Sequence, residues 1–147
     1  MLPFAAMFSR DDQPSPSEGE PRPLRILYAE DCSSNTLLVR LYFQHLPYTI
    51  DEAGNGSEAV RMYAERRYDL VLMDIQMPIM DGCEAARRIR RIEREQGLAP
   101  CPIIAVTAHA MEESRAAALA AGCSFFMTKP VRKPELLEVI QKLLGAD

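Results

Sequence analysis

Four short apolar runs in this chain end on residues that can do chemistry. Ile26-Leu27-Tyr28-Ala29 runs into Glu30-Asp31, Leu70-Val71-Leu72-Met73 into Asp74, Ile103-Ile104-Ala105-Val106 into Thr107, and Phe125-Phe126-Met127, after one more residue, into Lys129. An ionised aspartate directly after four apolar residues is costly to bury alone, so Asp74 is expected where a strand emerges beside water, a cation or a donor. Three carboxylates within a few Å repel by about 4 kcal/mol per pair at an effective dielectric near 20, which calls for a hard divalent cation. Mg²⁺ (or Mn²⁺) suits Glu30, Asp31 and Asp74, because it takes oxygen ligands from a few carboxylates, water and phosphate. The Gln76 main-chain carbonyl is a further candidate ligand. With the Thr107 hydroxyl and the Lys129 ammonium added, the set is what a phosphoryl site needs. Each residue alone has a plainer explanation as a helix cap, a strand end or a solvated charge; their joint occurrence at four strand ends of one sheet points to a common site.

The elements that must position them are legible as alternation. Runs at Ile26–Ala29, Thr49–Ala53, Leu70–Met73, Ile103–Val106 and Phe125–Met127 read as five strands. Between and after them, helical spacing shows in Leu37, Leu38, Leu41 and Tyr42, in Val60, Tyr63 and Ala64, in Ala85, Ile89 and Ile92, and in Leu136, Leu137, Ile140, Leu143 and Leu144. Pro47 is expected to stop the first helix and Ser57 to cap the second. Asp81 with Glu84 resembles a capping box, Gly122 suits the fourth helix's C-cap, and Pro134 suits the first turn of the fifth. Short βα repeats force parallel strands and right-handed crossovers. The expected architecture is α/β, (βα)5, a doubly wound parallel five-stranded sheet in the order 2-1-3-4-5, with ligands at the carboxyl ends of the strands. Asp51-Glu52 in the second run fits an edge strand.

Composition narrows the classes. One hundred and forty-seven residues are enough for one core but hardly for two. Seventeen Lys plus Arg against 21 Asp plus Glu give a mildly acidic chain, which argues against a nucleic-acid footprint. The end of the chain at Asp147 leaves no room for a helix-turn-helix module, so no direct nucleic-acid binding is expected. No apolar run approaches the ~20 residues that span a bilayer, and Met1–Phe8 lacks the basic start of a signal peptide, so a cytoplasmic protein without a membrane role is expected. Residues 1–23, with Pro3, Pro14, Pro16, Pro21 and Pro23 among polar residues, read as a disordered leader, in which Phe4 and Phe8 could serve as a docking peptide or strap; the domain runs over 24–147. Cys32, Cys83, Cys101 and Cys123 show neither metal nor redox spacing; Cys32 alone is placed at the rim of the site. Arg87, Arg88, Arg90, Arg91 and Arg94 read as a solvated face of the third helix, paired with Glu84, Glu93 and Glu95, with a partner-docking patch as the alternative.

From about Leu24 to Leu144 the chain resembles the receiver domains of two-component and phosphorelay signalling, a flavodoxin-like fold. Glu30-Asp31, Met73-Asp74-Ile75-Gln76-Met77-Pro78-x-Met80-Asp81-Gly82, Thr107-Ala108 and Lys129-Pro130 carry the likeness. The wording around Asp74, and Phe126, look most like the receivers of hybrid sensor histidine kinases, whereas the initiating Met and the leader suit a free response regulator. The resemblance implies that Asp74 is a phosphoacceptor taking its phosphoryl group from a sensor histidine kinase or a histidine phosphotransfer protein, with Mg²⁺ on Glu30, Asp31 and Asp74 and with Lys129 as a second positive charge. It implies a cis Lys129-Pro130 bond. It also implies a switch made of Thr107 and Phe126, the latter without a tyrosine's hydroxyl, acting on the surface of the fourth helix, fifth strand and fifth helix, where an effector or a second copy could dock. Gln76 and His109 occupy positions that resemble modulators of water access to the acyl phosphate, and are expected to tune dephosphorylation.

Three other readings compete. A Mg-dependent phosphatase of the haloacid-dehalogenase type also uses an aspartate after a strand, but needs an acid two residues on, where this chain has Gln76. A nucleotide or flavin module lacks its phosphate loop after the first strand, where Glu30-Asp31 would repel phosphate. A phosphorylation-independent interaction domain would not need Glu30, Asp31, Asp74, Thr107 and Lys129 together.

Overall fold

The computed structural model describes residues 23–145. The chain alternates β1 (Leu24–Ala29), α1 (Ser33–Phe43), β2 (Tyr48–Ala53), α2 (Gly56–Glu65), β3 (Leu70–Asp74), α3 (Gly82–Gln96), β4 (Ile103–Thr107), α4 (Glu112–Ala120), β5 (Phe125–Thr128) and α5 (Lys133–Leu144). The five strands form one parallel sheet in the order β2-β1-β3-β4-β5, with β2 at one edge, as its charged residues required. The leader expected over residues 1–23, with Phe4 and Phe8, lies outside the described residues apart from Pro23.

Both faces of the sheet are covered, so β3 and β4 are buried along their whole lengths. Alternate side chains enter two cores. Leu27, Ala29, Val71, Met73, Ile103 and Ala105 pack toward residues of α2, α3 and α4, while Ile26, Tyr28, Leu70, Leu72, Ile104 and Val106 pack toward α1 and α5. At ~25 cal/mol per Å² of apolar surface, each fully buried Leu or Ile contributes about 1.5–3 kcal/mol to holding the strand ends in place.

The helix boundaries correct several expectations. The side chain of Asn55, not Ser57, caps α2 by accepting from the Glu58 amide. Asn55 precedes a glycine, so the helix starts two residues earlier than a Ser57 cap would allow. Asp81 caps α3 as expected, accepting from the Glu84 amide at 2.9 Å, but the Glu84 carboxylate goes to Arg87 and Arg88, so no reciprocal box is closed. α1 ends at Phe43, and His45 adopts a left-handed conformation (φ 70°) two residues before Pro47. Ala121 is the C-cap of α4, with Gly122 just beyond it at φ 112°, and Pro134 sits in the first turn of α5.

The buried face of α1 also differs from expectation. Thr36, Val39 and Phe43 are buried, whereas Leu37, Leu38 and Leu41 are 59%, 40% and 53% exposed. With apolar residues at 37, 38, 39, 41, 42 and 43, helical spacing fits more than one stripe. The sheet selects Val39 and Phe43, four apart, and leaves the leucines as an apolar row facing water.

Candidate functional site

Asp74 and Thr107 are the last residues of β3 and β4, and Glu30 and Lys129 directly follow β1 and β5, so the parallel sheet brings all four to one rim. Glu30, Asp31 and Asp74 each offer a carboxylate oxygen within 4.8 Å of the others. Glu30 and Asp74 are buried and Asp31 is exposed. Glu30 is well held: its carboxylate accepts from the Tyr28 hydroxyl at 3.2 Å and from the Cys32 amide and the Asn35 side chain, each at 3.3 Å. Lys129 Nζ lies 3.2 Å from Glu30 Oε1 and 3.3 Å from Asp74 Oδ2, bridging the two acids. The Lys129-Pro130 bond is cis.

The electrostatics mark Asp74 as under-neutralised. Its Oδ1 is buried without a hydrogen-bond partner among the described residues. Burial, followed by the charge of Glu30, pushes its pKa up to about 6 against the pull of Lys129. Burial alone would lower the Lys129 pKa, but Asp74 and Glu30 outweigh it and hold the ammonium charged. One ammonium therefore faces two buried carboxylates and an exposed third. Hard oxygen donors with a negative excess and one buried oxygen unpartnered are a donor set that fits a divalent cation such as Mg²⁺.

The loop after β3 is held by close backbone contacts. The Ile75 amide donates to Val106 O and the Gly82 amide to Ile75 O, each at 2.9 Å. A Cβ on Gly82 would lie 2.3 Å from Asp74 O, so only glycine lets α3 start this close to Asp74. Ile79 in this loop is 82% exposed with φ 72°, a left-handed conformation that costs a β-branched residue about 1–3 kcal/mol.

The remaining expected residues cluster beside the rim. Thr107 is fully buried, donates its hydroxyl to Gln76 Oε1 at 2.9 Å, and accepts from the His109 amide at 3.2 Å. His109 itself is exposed. Phe126 is half-buried against the α2–α3 core, whereas Phe125 is 38% exposed. Cys32 is exposed where α1 begins, at the rim as expected. An open cleft of about 380 Å³ runs from Glu30 and Asp31 past Leu37 and Arg40 to Glu52.

Two features escaped sequence reasoning. The side-chain bond between Gln76 and Thr107 joins the loop after β3 to the end of β4 and has no local signature. The arginine face of α3 is also not wholly solvated: Arg90 turns inward to Glu93, which is 3% exposed. Glu93 lies four residues after buried Ile89, so helical spacing could have placed it inside. The expected pairing with Glu84 fits a solvated face, Arg87 and Arg88 both meeting it at the surface.

Among the described residues no helix is long and apolar enough to cross a membrane. Residues 26–141 match the family model described as the response regulator receiver domain. A curated relative, the hybrid signal transduction histidine kinase I of Dictyostelium discoideum, is 41% identical over 123 residues, covering 80% of this chain but only 7% of that protein's length. The receiver domain of the Saccharomyces cerevisiae response regulator Ssk1, solved with the histidine phosphotransfer protein Ypd1, is 31% identical, with a TM-score of 0.78 over 82% of this chain and 88% of that one. The receiver domain of the sensor histidine kinase PA1611 from Pseudomonas aeruginosa PAO1, solved with magnesium in its active-site cleft, is 34% identical, with a TM-score of 0.75 over 84% of this chain and 99% of that one. With three acids at two strand ends, a lysine bridging two of them and a buried threonine alongside, on a sheet that matches these receivers along nearly its whole length, the chain belongs to the response regulator receiver domain family.

Proposed function

We propose that Asp74 accepts a phosphoryl group from a phosphohistidine on a sensor histidine kinase or histidine phosphotransfer protein, and that the resulting acyl phosphate switches a signalling surface. The observation that carries this reading is the buried, unpartnered Asp74 Oδ1 beside Lys129 at the rim of the sheet. An Asp74 carboxylate oxygen attacks phosphorus, the P–N bond breaks, and the imidazole leaves with the electron pair. Lys129, already 3.3 Å from Oδ2, offsets charge on the transferred group. Bound by Glu30, Asp31, Asp74 and the Gln76 main-chain carbonyl, Mg²⁺ (or Mn²⁺) would supply further neutralisation of the phosphoryl oxygens. Thr107 then turns its hydroxyl to a phosphoryl oxygen, Phe126 moves further inward, and the α4–β5–α5 surface presents a changed face to an effector or a second copy. Gln76 and His109 regulate how water reaches the acyl phosphate, setting a slow autodephosphorylation. The protein acts as a cytoplasmic phosphoacceptor that promotes its own phosphorylation, without turning over a separate substrate.

The test is incubation with Mg²⁺ and a small acyl-phosphate donor, followed by intact mass measurement. Wild type should gain one phosphoryl group; Asp74→Asn, and wild type with a chelator, should gain none. A gain in both proteins, or in neither, would remove Asp74 as the acceptor.

The exposed leucines give the donor protein a place to sit. Leu37 lines the cleft that opens on Glu30 and Asp31, and Leu38 and Leu41 continue the apolar row along α1. A partner covering this row brings its phosphohistidine to the strand ends. Replacing both Leu37 and Leu41 by Glu is expected to slow transfer from a histidine phosphotransfer protein at least ~10-fold, the scale of an anchoring interface residue. Phosphorylation by the small donor should be unchanged. Equal loss with both donors would mean that the substitutions damage the site rather than the docking.

A further inference from the structure

We propose that Gln76 is a positioning residue whose side-chain oxygen latches the Thr107 hydroxyl away from the phosphoryl group, so that it sets how readily the receiver enters its switched state. The inference rests on the phosphoacceptor reading of Asp74 and Thr107 and adds the group against which the phosphoryl must compete.

A threonine hydroxyl has one proton to donate. Here that proton goes to Gln76 Oε1 at 2.9 Å, while the hydroxyl oxygen accepts from the His109 amide at 3.2 Å. The hydroxyl is thus held from both sides, as donor to the loop after β3 and as acceptor from the chain just after β4. Thr107 is fully buried, so its unpaired hydroxyl could not turn to water instead without the buried side chain moving. A phosphoryl oxygen can win the proton only by displacing Gln76. Gln76 is exposed and sits two residues after Asp74, so its amide, once displaced, is satisfied by water. The latch is therefore reversible, and it opens toward solvent.

The consequence is a population effect. A ligand that binds the switched arrangement has an apparent affinity lowered by the fraction of molecules in which Thr107 is released. Removing one neutral hydrogen bond from the competing state is expected to raise that affinity about 2- to 10-fold. No contact with the ligand need be gained.

The probe is beryllofluoride, a phosphoryl analogue, titrated with Mg²⁺ into wild type, Gln76→Leu, Gln76→Met, Thr107→Ala and the two double variants. Gln76→Leu and Gln76→Met should each bind about 2- to 10-fold more tightly than wild type. In the Thr107→Ala background the same changes should have no effect, because the hydroxyl they release is gone. The Thr107 methyl resonance of Gln76→Leu, in the absence of ligand, should also shift toward its position in the bound wild type, which a merely structural role for Gln76 would not produce. An equal gain with and without Thr107, or weaker binding by both single variants with an unmoved methyl resonance, would overturn the latch alone. Wild type that binds no beryllofluoride would overturn the phosphoacceptor reading together with it.

Discussion

In metal-free buffer at pH 7, Asp74→Asn is expected to be more stable than wild type by about 2–3 kcal/mol. Asp74 is 2% exposed, its Oδ1 has no hydrogen-bond partner among the described residues, and burial and Glu30 together push its pKa up to about 6. In the unfolded chain an aspartate titrates near 3.9. The folded protein therefore holds a proton that the unfolded chain has released between about pH 4 and pH 6. Stability should fall as pH rises through that window and level off above it, so the whole penalty is present at pH 7. An asparagine carries no charge to bury and keeps the shape, and Lys129 retains Glu30 at 3.2 Å. Denaturant midpoints of the two proteins should converge toward pH 4. They should also converge at pH 7 as Mg²⁺ is added, because a cation that binds the folded wild type stabilises it by mass action. A variant less stable than wild type in chelator, or a gap that does not narrow as pH falls, would contradict the view of Asp74 as a carboxylate held ready at a cost in stability.

That cost is what makes the site legible in the sequence. A carboxylate closing an apolar run contradicts the local pattern, and such contradictions fall where function overrides stability. Glu30, Asp31, Thr107 and Lys129 can be grouped with Asp74 because a parallel sheet puts the carboxyl ends of its strands on one rim whatever the side chains between. β3 and β4 are equally plain, since strands buried on both faces read as unbroken apolar runs. The facing of α1 is not, because its many apolar residues satisfy several stripes and only the shape of the sheet chooses Val39 and Phe43 over Leu37 and Leu41. Nor can the cap at Asn55 be told from Ser57 two residues on, both being good N-cap types. The bond from Thr107 to Gln76 spans 31 residues and depends on the conformation of the loop after β3, so no periodicity announces it.

Glu93 is the opposite case to Asp74, a buried carboxylate that the fold fully satisfies. Glu93→Ala is expected to lose about 3–5 kcal/mol, the cost of breaking a buried ion pair by removing one partner. The carboxylate accepts from the Tyr63 hydroxyl at 2.6 Å, from the Cys101 amide at 2.8 Å and from Arg90 Nη1 at 2.9 Å. Burial first, and the bond to Glu93 second, raise the Tyr63 pKa well above the ordinary phenol range, keeping it a donor. Arg90 goes on to donate to Cys101 O at 2.8 Å and to Gly122 O at 2.9 Å, so the pair ties α2 and α3 to the segments that enter β4 and β5. Truncation leaves the Tyr63 hydroxyl and the Cys101 amide without their acceptor and a guanidinium without its counter-charge. In a chain of this size the melting temperature should drop by roughly 10 °C or more. Because the network lies at the start of β4 and β5 and the acids lie at the carboxyl ends of the strands, the folded fraction of Glu93→Ala should still take one phosphoryl group at Asp74. A loss of phosphorylation in the folded variant, or a stability within about 1 kcal/mol of wild type, the scale of an exposed pair, would show that Glu93 does not brace this end of the sheet.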